Sequence, residues 1–367
     1  MTNMNKHLLR SGLVVLAGLV AGTLSFTEPA AQQSSKLRIL QSNFGGDSIQ
    51  IIDPATNKVV GEIKGHEGVH GIVASPDGTR IYLGSEAENA VTVIDGKTLQ
   101  TMKQIPLSGN PNLVDITPDG KYIYAAIAVS WDDLSEFPVL KPGPTGGIDV
   151  IDTTTFKNIK TVRTGPIHDL YVTPDGKYVI AGTSRGMRPP PHKFLVVDTK
   201  TNEIAWDITM NPAPNPMAMS KKPDGSTDKV YAQNGRDNGF QVIDFDTRRV
   251  INAVKLPELP EAERNIHGPP SESHGMWVTP DQRTLVIISR LNSSVYKYSL
   301  PDLRLTGSLK LNGLGAGWMT LTPDGRRVYV GNEHSNTVSA VDLASMKELA
   351  TIPVGLVPAR NTVWMQP

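Results

Sequence analysis

The chain has 367 residues, with 36 Lys and Arg against 36 Asp and Glu, so its net charge is zero. That balance argues against general nucleic-acid binding, which needs a basic surface to neutralise phosphates, while the length admits two average domains or one large all-β domain. Cysteine is absent, which excludes disulfides, a thiolate nucleophile, Cys-ligated zinc and a covalently attached c-type haem.

Lys6, His7 and Arg10 precede the apolar run "SGLVVLAGLVAGTL" (11–24), and small and polar residues follow, "SFTEPAAQQSS". The run is shorter than the roughly 20 residues a spanning helix needs. Residues 1–31 therefore read as a secretory signal peptide without a clean cleavage motif. The competing reading is an uncleaved membrane anchor. On the first reading the protein is periplasmic or secreted and makes no stable membrane insertion after signal removal.

From residue 37 the chain is a succession of β-branched runs separated by turn residues, the signature of strands and hairpins. "LRILQSN", "DSIQIID" and "KVVGEI" come first. A phrase then returns: "SPDG" (75–78), "TPDG" (117–120), "TPDG" (173–176), "KPDG" (222–225), "TPDQ" (279–282) and "TPDG" (322–325). Each is preceded by an apolar stretch and followed by a strand such as "RIYLGS", then by one ending in Asp such as "VTVID", then by a fourth. Pro fixes φ, Asp bonds the backbone ahead, and Gly takes the conformation other residues resist. The Asp residues of this phrase are therefore expected to form turns, not to act as catalytic acids.

A unit of about 42 residues with loop insertions matches the blade of a propeller. The chain opens on three strands that lack a first, and it ends on "NTVWMQP" (361–367), a first strand that lacks a blade. Together they make one more blade, and joining the termini in one sheet closes the ring. The expected fold is all-β: a single seven-bladed β-propeller of four-stranded blades over 37–367, closed by N- and C-terminal strands that share a blade.

"RVYVGNEHSNTVSAVDLASMKELATIPVG" (327–355) resembles a near-consensus copy of the YVTN-type β-propeller repeat, and the resemblance extends over essentially all of 37–367. That family includes surface-layer proteins, single-stranded-DNA binders and periplasmic proteins. Similar propellers serve as accessory subunits of quinone amine dehydrogenases, as haem-d1 binders, and as lactonases or lyases. The resemblance implies the fold and does not choose among these functions.

In a four-strand meander the Pro-Asp-Gly turns lie on one face. The loops before first strands and between second and third strands lie on the other, called the top here. His66, His70, His168, His192, His267, His274 and His334 all map to the top. His70, His168 and His274 each stand six residues before a repeat proline. At that position other blades carry Asn112, Met217 and Gly317, and Asn361 if Pro367 is matched to the repeat proline. Three histidines thus enter from alternate blades at one height of the central channel. Imidazole is the commonest protein metal ligand and titrates near neutral pH. The set is a candidate site for a divalent metal ion or for acid–base work, with Glu272, Glu333 and His334 as further candidate ligands. The plainer alternative is that each His bonds a neighbouring blade's backbone and fastens a loop.

Arg185, Arg236 and Arg290 fall just after second strands, as does Glu86, and Arg360 adjoins Asn361. Guanidinium groups bind carboxylate or phosphate bidentately, so with Asn112 and Asn361 they make the top face a candidate for a small anionic ligand. Ordinary Arg–Glu pairing is the alternative. The insertions 130–147, 185–192 and 257–275 overhang this face as candidate lids or docking loops, and Trp131 and Phe137 are candidate anchors for a ligand or protein partner. Catalytic motifs such as G-x-S-x-G, a Walker loop or H-E-x-x-H do not occur. The sequence thus points to an exported binding or accessory protein. The alternative is a metal-dependent propeller enzyme of lactonase or lyase type with a His-lined channel mouth.

Overall fold

The computed structural model describes residues 36–130, 146–183, 191–234, 238–260, 262 and 273–367, with all their side chains except those of 129, 130, 234, 273 and 274. The expected signal peptide lies outside the described residues. Twenty-eight strands form seven antiparallel four-stranded sheets, each a simple meander, and no α-helix occurs among the described residues. This is the seven-bladed propeller expected from the repeat.

The inner strands are Val69–Ala74, Gly109–Ile116, Ile167–Val172, Pro214–Lys221, Ser273–Val278 and Ala316–Leu321 for blades 2 to 7, and Pro358–Gln366 for blade 1. Each packs against the next, and the last returns to the first. The middle strands read as continuous apolar runs because both faces of a blade are covered by neighbours. Tyr82, Val91 and Val93, for example, pack against Val114, Ile123 and Ala125 of the following blade. Outer strands such as Lys58–Lys64 are mostly exposed and carry charges that blunt the open edge.

Blade 1 is the composite. Pro358–Gln366 pairs with Lys36–Asn43 from Lys36 opposite Gln366 to Gln41 opposite Asn361. Trp364 is fully buried there, and its indole N–H donates to Gly78 O of blade 2 at 2.8 Å.

The repeat turns do what their residues dictate. Thr117 Oγ1 donates to Asp119 Oδ1 at 2.6 Å and Lys121 N to the same oxygen at 3.1 Å. Asp175, Asp281 and Asp324 accept from Thr173, Thr279 and Thr322 in the same way. The fourth residue is left-handed throughout, with φ from 61° at Gln282 to 87° at Gly225.

Two register assignments made from the sequence are corrected. In blade 1, Pro358 pairs with Asn43 and Asn361 with Gln41 as Ala316 pairs with Asn332 and Met319 with Val330 in blade 7. Met365 therefore takes the place of the repeat proline, and Ala359, not Asn361, stands level with His70. In blade 5, Ala218 pairs with Tyr231 as Val73 pairs with Tyr82. Extra residues after the blade 5 turn are absorbed by a bulge between Met219 and Lys221. Asn215, not Met217, is thus level with His70.

Gln282 is the exception among the turns, with φ 61° where other blades carry glycine. Its Oε1 accepts Lys221 N of blade 5 at 2.7 Å. The left-handed conformation costs a non-glycine residue about 1 kcal/mol, and the hydrogen bond returns a similar amount. Gln282→Gly is expected to stay within about 0.5 kcal/mol of wild type, whereas Gln282→Ala keeps the strain, loses the bond and costs about 1 kcal/mol. Urea unfolding midpoints separate the two.

Candidate functional site

The histidine register coincides with a backbone feature. The inner strand of blade 2 shifts register between Val69 and Gly71, that of blade 4 between Ile167 and Asp169, that of blade 6 between Ser273 and Met276, and that of blade 7 between Ala316 and Trp318. His70 and His168 are the extra residues of two of these bulges, and the backbone of His274 lies in a third. A bulge breaks the strict alternation of side chains and re-aims them. At the next position the blades carry Gly71, Leu113, Asp169, Pro216, Gly275, Trp318 and Arg360, and at this depth Arg360, Asp169 and Trp318 meet.

Arg360 Nη2 donates to Asp169 Oδ1 at 2.6 Å and to Asn112 Oδ1 at 3.2 Å. Its guanidinium carbon lies 3.0 Å from the centre of the Trp318 ring. Arg360 is 4% exposed and Asp169 0%. The side chain starts in blade 1 and ends against blades 3 and 4, so it crosses the channel.

On the top side of this bridge, Asn112 ties three groups together. Its carbonyl lies 2.9 Å from His70 Nδ1, its side-chain amide donates to Glu86 Oε1 at 3.4 Å, and its amide oxygen accepts from Arg360. A carbonyl only accepts, so His70 carries its proton on Nδ1 and its lone pair on Nε2. His168 Nδ1 faces Asp169 Oδ2 at 2.8 Å, which sets the same tautomer. The side chain of Phe44 meets His70 edge-on at 5.5 Å, and Trp318 does so at 6.3 Å. Gly71 makes the His70 contact possible, because a Cβ there would come within 2.8 Å of Val114 N and 3.2 Å of Asn112 O.

Burial lowers the His70 imidazole to about 3, with the Arg360 charge and His168 adding to the effect, so this ring is neutral at physiological pH. Burial raises the Glu86 carboxyl to about 7, against the opposing pull of Asn112 and Arg360. The mouth therefore offers one neutral acceptor and one carboxyl group able to give or take a proton near neutrality.

Other expected site residues are placed differently. Arg290 pairs with Glu333 of blade 7 in a short charged contact. Asn361 donates to Gln41 Oε1 and to Tyr329 O, both at 3.1 Å, which fastens blade 1 to blade 7. His334 sits in the turn after Glu333, its backbone N–H on Leu314 O at 3.1 Å. Trp131, Arg185, Arg236 and Glu272 lie outside the described residues, as do Phe137, His267 and the His274 side chain. Among the described residues no group of three His, Asp or Glu side chains is placed to hold a metal ion. Asp169 and Trp318 were not singled out from the sequence. The one available signal was that Asp169 directly follows His168.

No family model matches the chain. It is 29% identical over 142 residues to Antigen Lp49 of Leptospira interrogans, and 24% identical over 278 residues to hydrazine synthase subunit beta of Kuenenia stuttgartiensis. These matches cover 37% and 70% of this chain, but only 30% and 60% of the relatives. Among solved structures, Kuenenia stuttgartiensis hydrazine synthase superposes with a TM-score of 0.67 at 20% identity, covering 89% of this chain and 99% of that one. Periplasmic gluconolactonase PpgL of Pseudomonas aeruginosa gives 0.66 at 16%, covering 90% and 99%. Likeness at this identity establishes the propeller fold.

Glu86 yields a pH prediction. Its folded pKa is raised, so the folded state holds the proton more tightly than the unfolded state. As pH rises from about 4.5 to about 7 the unfolded state ionises first, and stability falls. Wild type should lose stability relative to Glu86→Gln across that window and run parallel to it above. Melting temperatures of both proteins from pH 4 to 9 provide the check.

Proposed function

We propose that the protein is an exported binding or accessory propeller that takes a small polar ligand at the top mouth of its channel. The observation that carries this reading is the Asn112 cluster. One residue holds His70 in a fixed tautomer, touches Glu86 and receives Arg360, and the rings of Phe44 and Trp318 meet His70 edge-on. A few fixed polar groups converging beside aromatic side chains are common in small-molecule sites. Export is supported by the basic, apolar and small-residue order of residues 1–31 and by the likeness to a periplasmic gluconolactonase.

The buried top-face arginines Arg290 and Arg360 have carboxylate partners. This favours ligands that donate hydrogen bonds to His70 and Glu86. Anionic ligands and acidic groups of a protein partner stay in the proposal through Arg185 and Arg236.

The second reading is a hydrolase or lyase, in which Glu86 exchanges a proton with substrate, with or without a divalent metal at His70, His168 and His274. The raised Glu86 carboxyl favours it. So does the anchoring of both Nδ1 atoms, since metal-bound imidazoles are oriented by such outer partners.

The test is a thermal-shift screen of polyols, sugar lactones, amines, carboxylates and divalent metals on tag-free protein. It is run beside His70→Gln and Glu86→Gln, with metal content measured by mass spectrometry. A shift of several degrees that saturates and is lost in both variants supports the mouth site. Lactone turnover that fails only in Glu86→Gln moves the assignment to the enzyme. A ligand that shifts wild type and both variants alike places binding elsewhere and overturns the proposal.

A further inference from the structure

We propose that the channel holds a second binding site, on the opposite side of Arg360 from the His70 mouth, for a small neutral molecule with an apolar body and one carbonyl or hydroxyl group. It is independent of the reading of the mouth.

A cavity of about 90 Å3 begins beneath the guanidinium of Arg360 and is walled by Val73, Leu113, Met276, Trp277 and Trp318. None of the described side chains level with His70 lines it, and the 42% exposure of Trp277 marks its end toward the Pro-Asp-Gly turns. The volume suits about three waters or an organic molecule of about six heavy atoms.

Polar groups interrupt the apolar wall. Arg360 lines the cavity, and its Nε is buried without a hydrogen-bond partner among the described residues. The outer part of the same guanidinium is engaged by Asp169 and Asn112 on the mouth side. A buried N–H without an acceptor is costly, so a carbonyl or hydroxyl oxygen in the cavity is stabilised there. The carboxylate of Asp115 also lines the space. Its oxygens accept Ile116 N at 2.9 Å and Val172 N at 2.8 Å, and each oxygen keeps a further lone pair for a donor. Tyr171, Thr320, Asn361 and Thr362 complete the polar set.

Charge selects the ligand. Asp169 already balances Arg360, so Asp115 is the uncompensated group facing the cavity. Burial raises it to about 6, which leaves it a carboxylate above neutral pH. An anion is repelled, while a neutral amide or alcohol satisfies both ends.

The probes are isobutyramide and isobutyrate, which match in shape and differ in charge, at pH 7.5. Trp277 and Trp318 form the wall, so tryptophan emission reports occupancy, and saturation-transfer NMR provides a second readout. Isobutyramide should bind saturably with Kd of about 1 mM, and isobutyrate at least tenfold more weakly. Val73→Phe fills the cavity and should weaken isobutyramide at least tenfold. Thr362→Leu, at the same depth on the closing strand, does the same should the larger substitution fail to fold. The proposal is overturned by no saturable response in wild type, which would leave water in the cavity. Equal binding to the filled variants, or isobutyrate binding as well as the amide, overturns it too.

Discussion

Everything in this molecule depends on the pairing of Pro358–Gln366 with Lys36–Asn43. Seven sheets packed face to face around an axis are stable only if the last meets the first, because an open ring exposes two apolar sheet faces. The closing strand does more than supply backbone bonds. It brings Trp364 into the core against blade 2, and it brings Arg360 to the channel. Residues more than 300 positions apart in sequence thus become one blade, and the element that completes the fold also delivers a buried arginine to the channel.

That side chain explains why the channel is divided. A buried ion pair is expensive to desolvate, by several kcal/mol per ion, and breaks even only when the remaining hydrogen-bonding capacity is met. Asp169 and Asn112 accept from Arg360, and Trp318 covers its face. Removing one partner would leave the other charge stranded in a dry interior. A ring of seven equivalent positions has no symmetric way to hold one such pair. Here two glycines, a leucine and a proline yield space to one Arg, one Asp and one Trp.

The blades were legible because their information is local. Pro-Asp-Gly specifies a turn by φ and by a side-chain hydrogen bond, both written in four consecutive residues. The shared blade was legible for the same reason, as three strands at one end and one at the other. The site was legible only in part. His70 and His168 stood out by spacing, but Asp169 did not, because neighbours in a regular strand point to opposite faces. Asp169 should then have faced a neighbouring blade. The bulge removes that restriction, and nothing in "IHDLYV" announces a bulge. Met217 and Asn361 were misplaced by the same limit. Counting from a proline assumes constant strand length, which blade 5 and the closing strand do not keep.

The polar network is also uneven around the ring. Blades 1 to 4 supply Arg360, His70, Asn112 and the His168–Asp169 pair, while blade 6 contributes Gly275, and the level of blade 5 is filled by Pro216. Asn215 of blade 5 turns its amide to Thr183 O at 3.0 Å and serves the scaffold. Blades 6 and 7 add the Arg290–Glu333 pair, whose carboxylate packs against Gly317 at the level of His70. A fold of near sevenfold symmetry acquires direction in this way. The repeat fixes where side chains can enter the channel, and the exceptions to the repeat decide what can be held there.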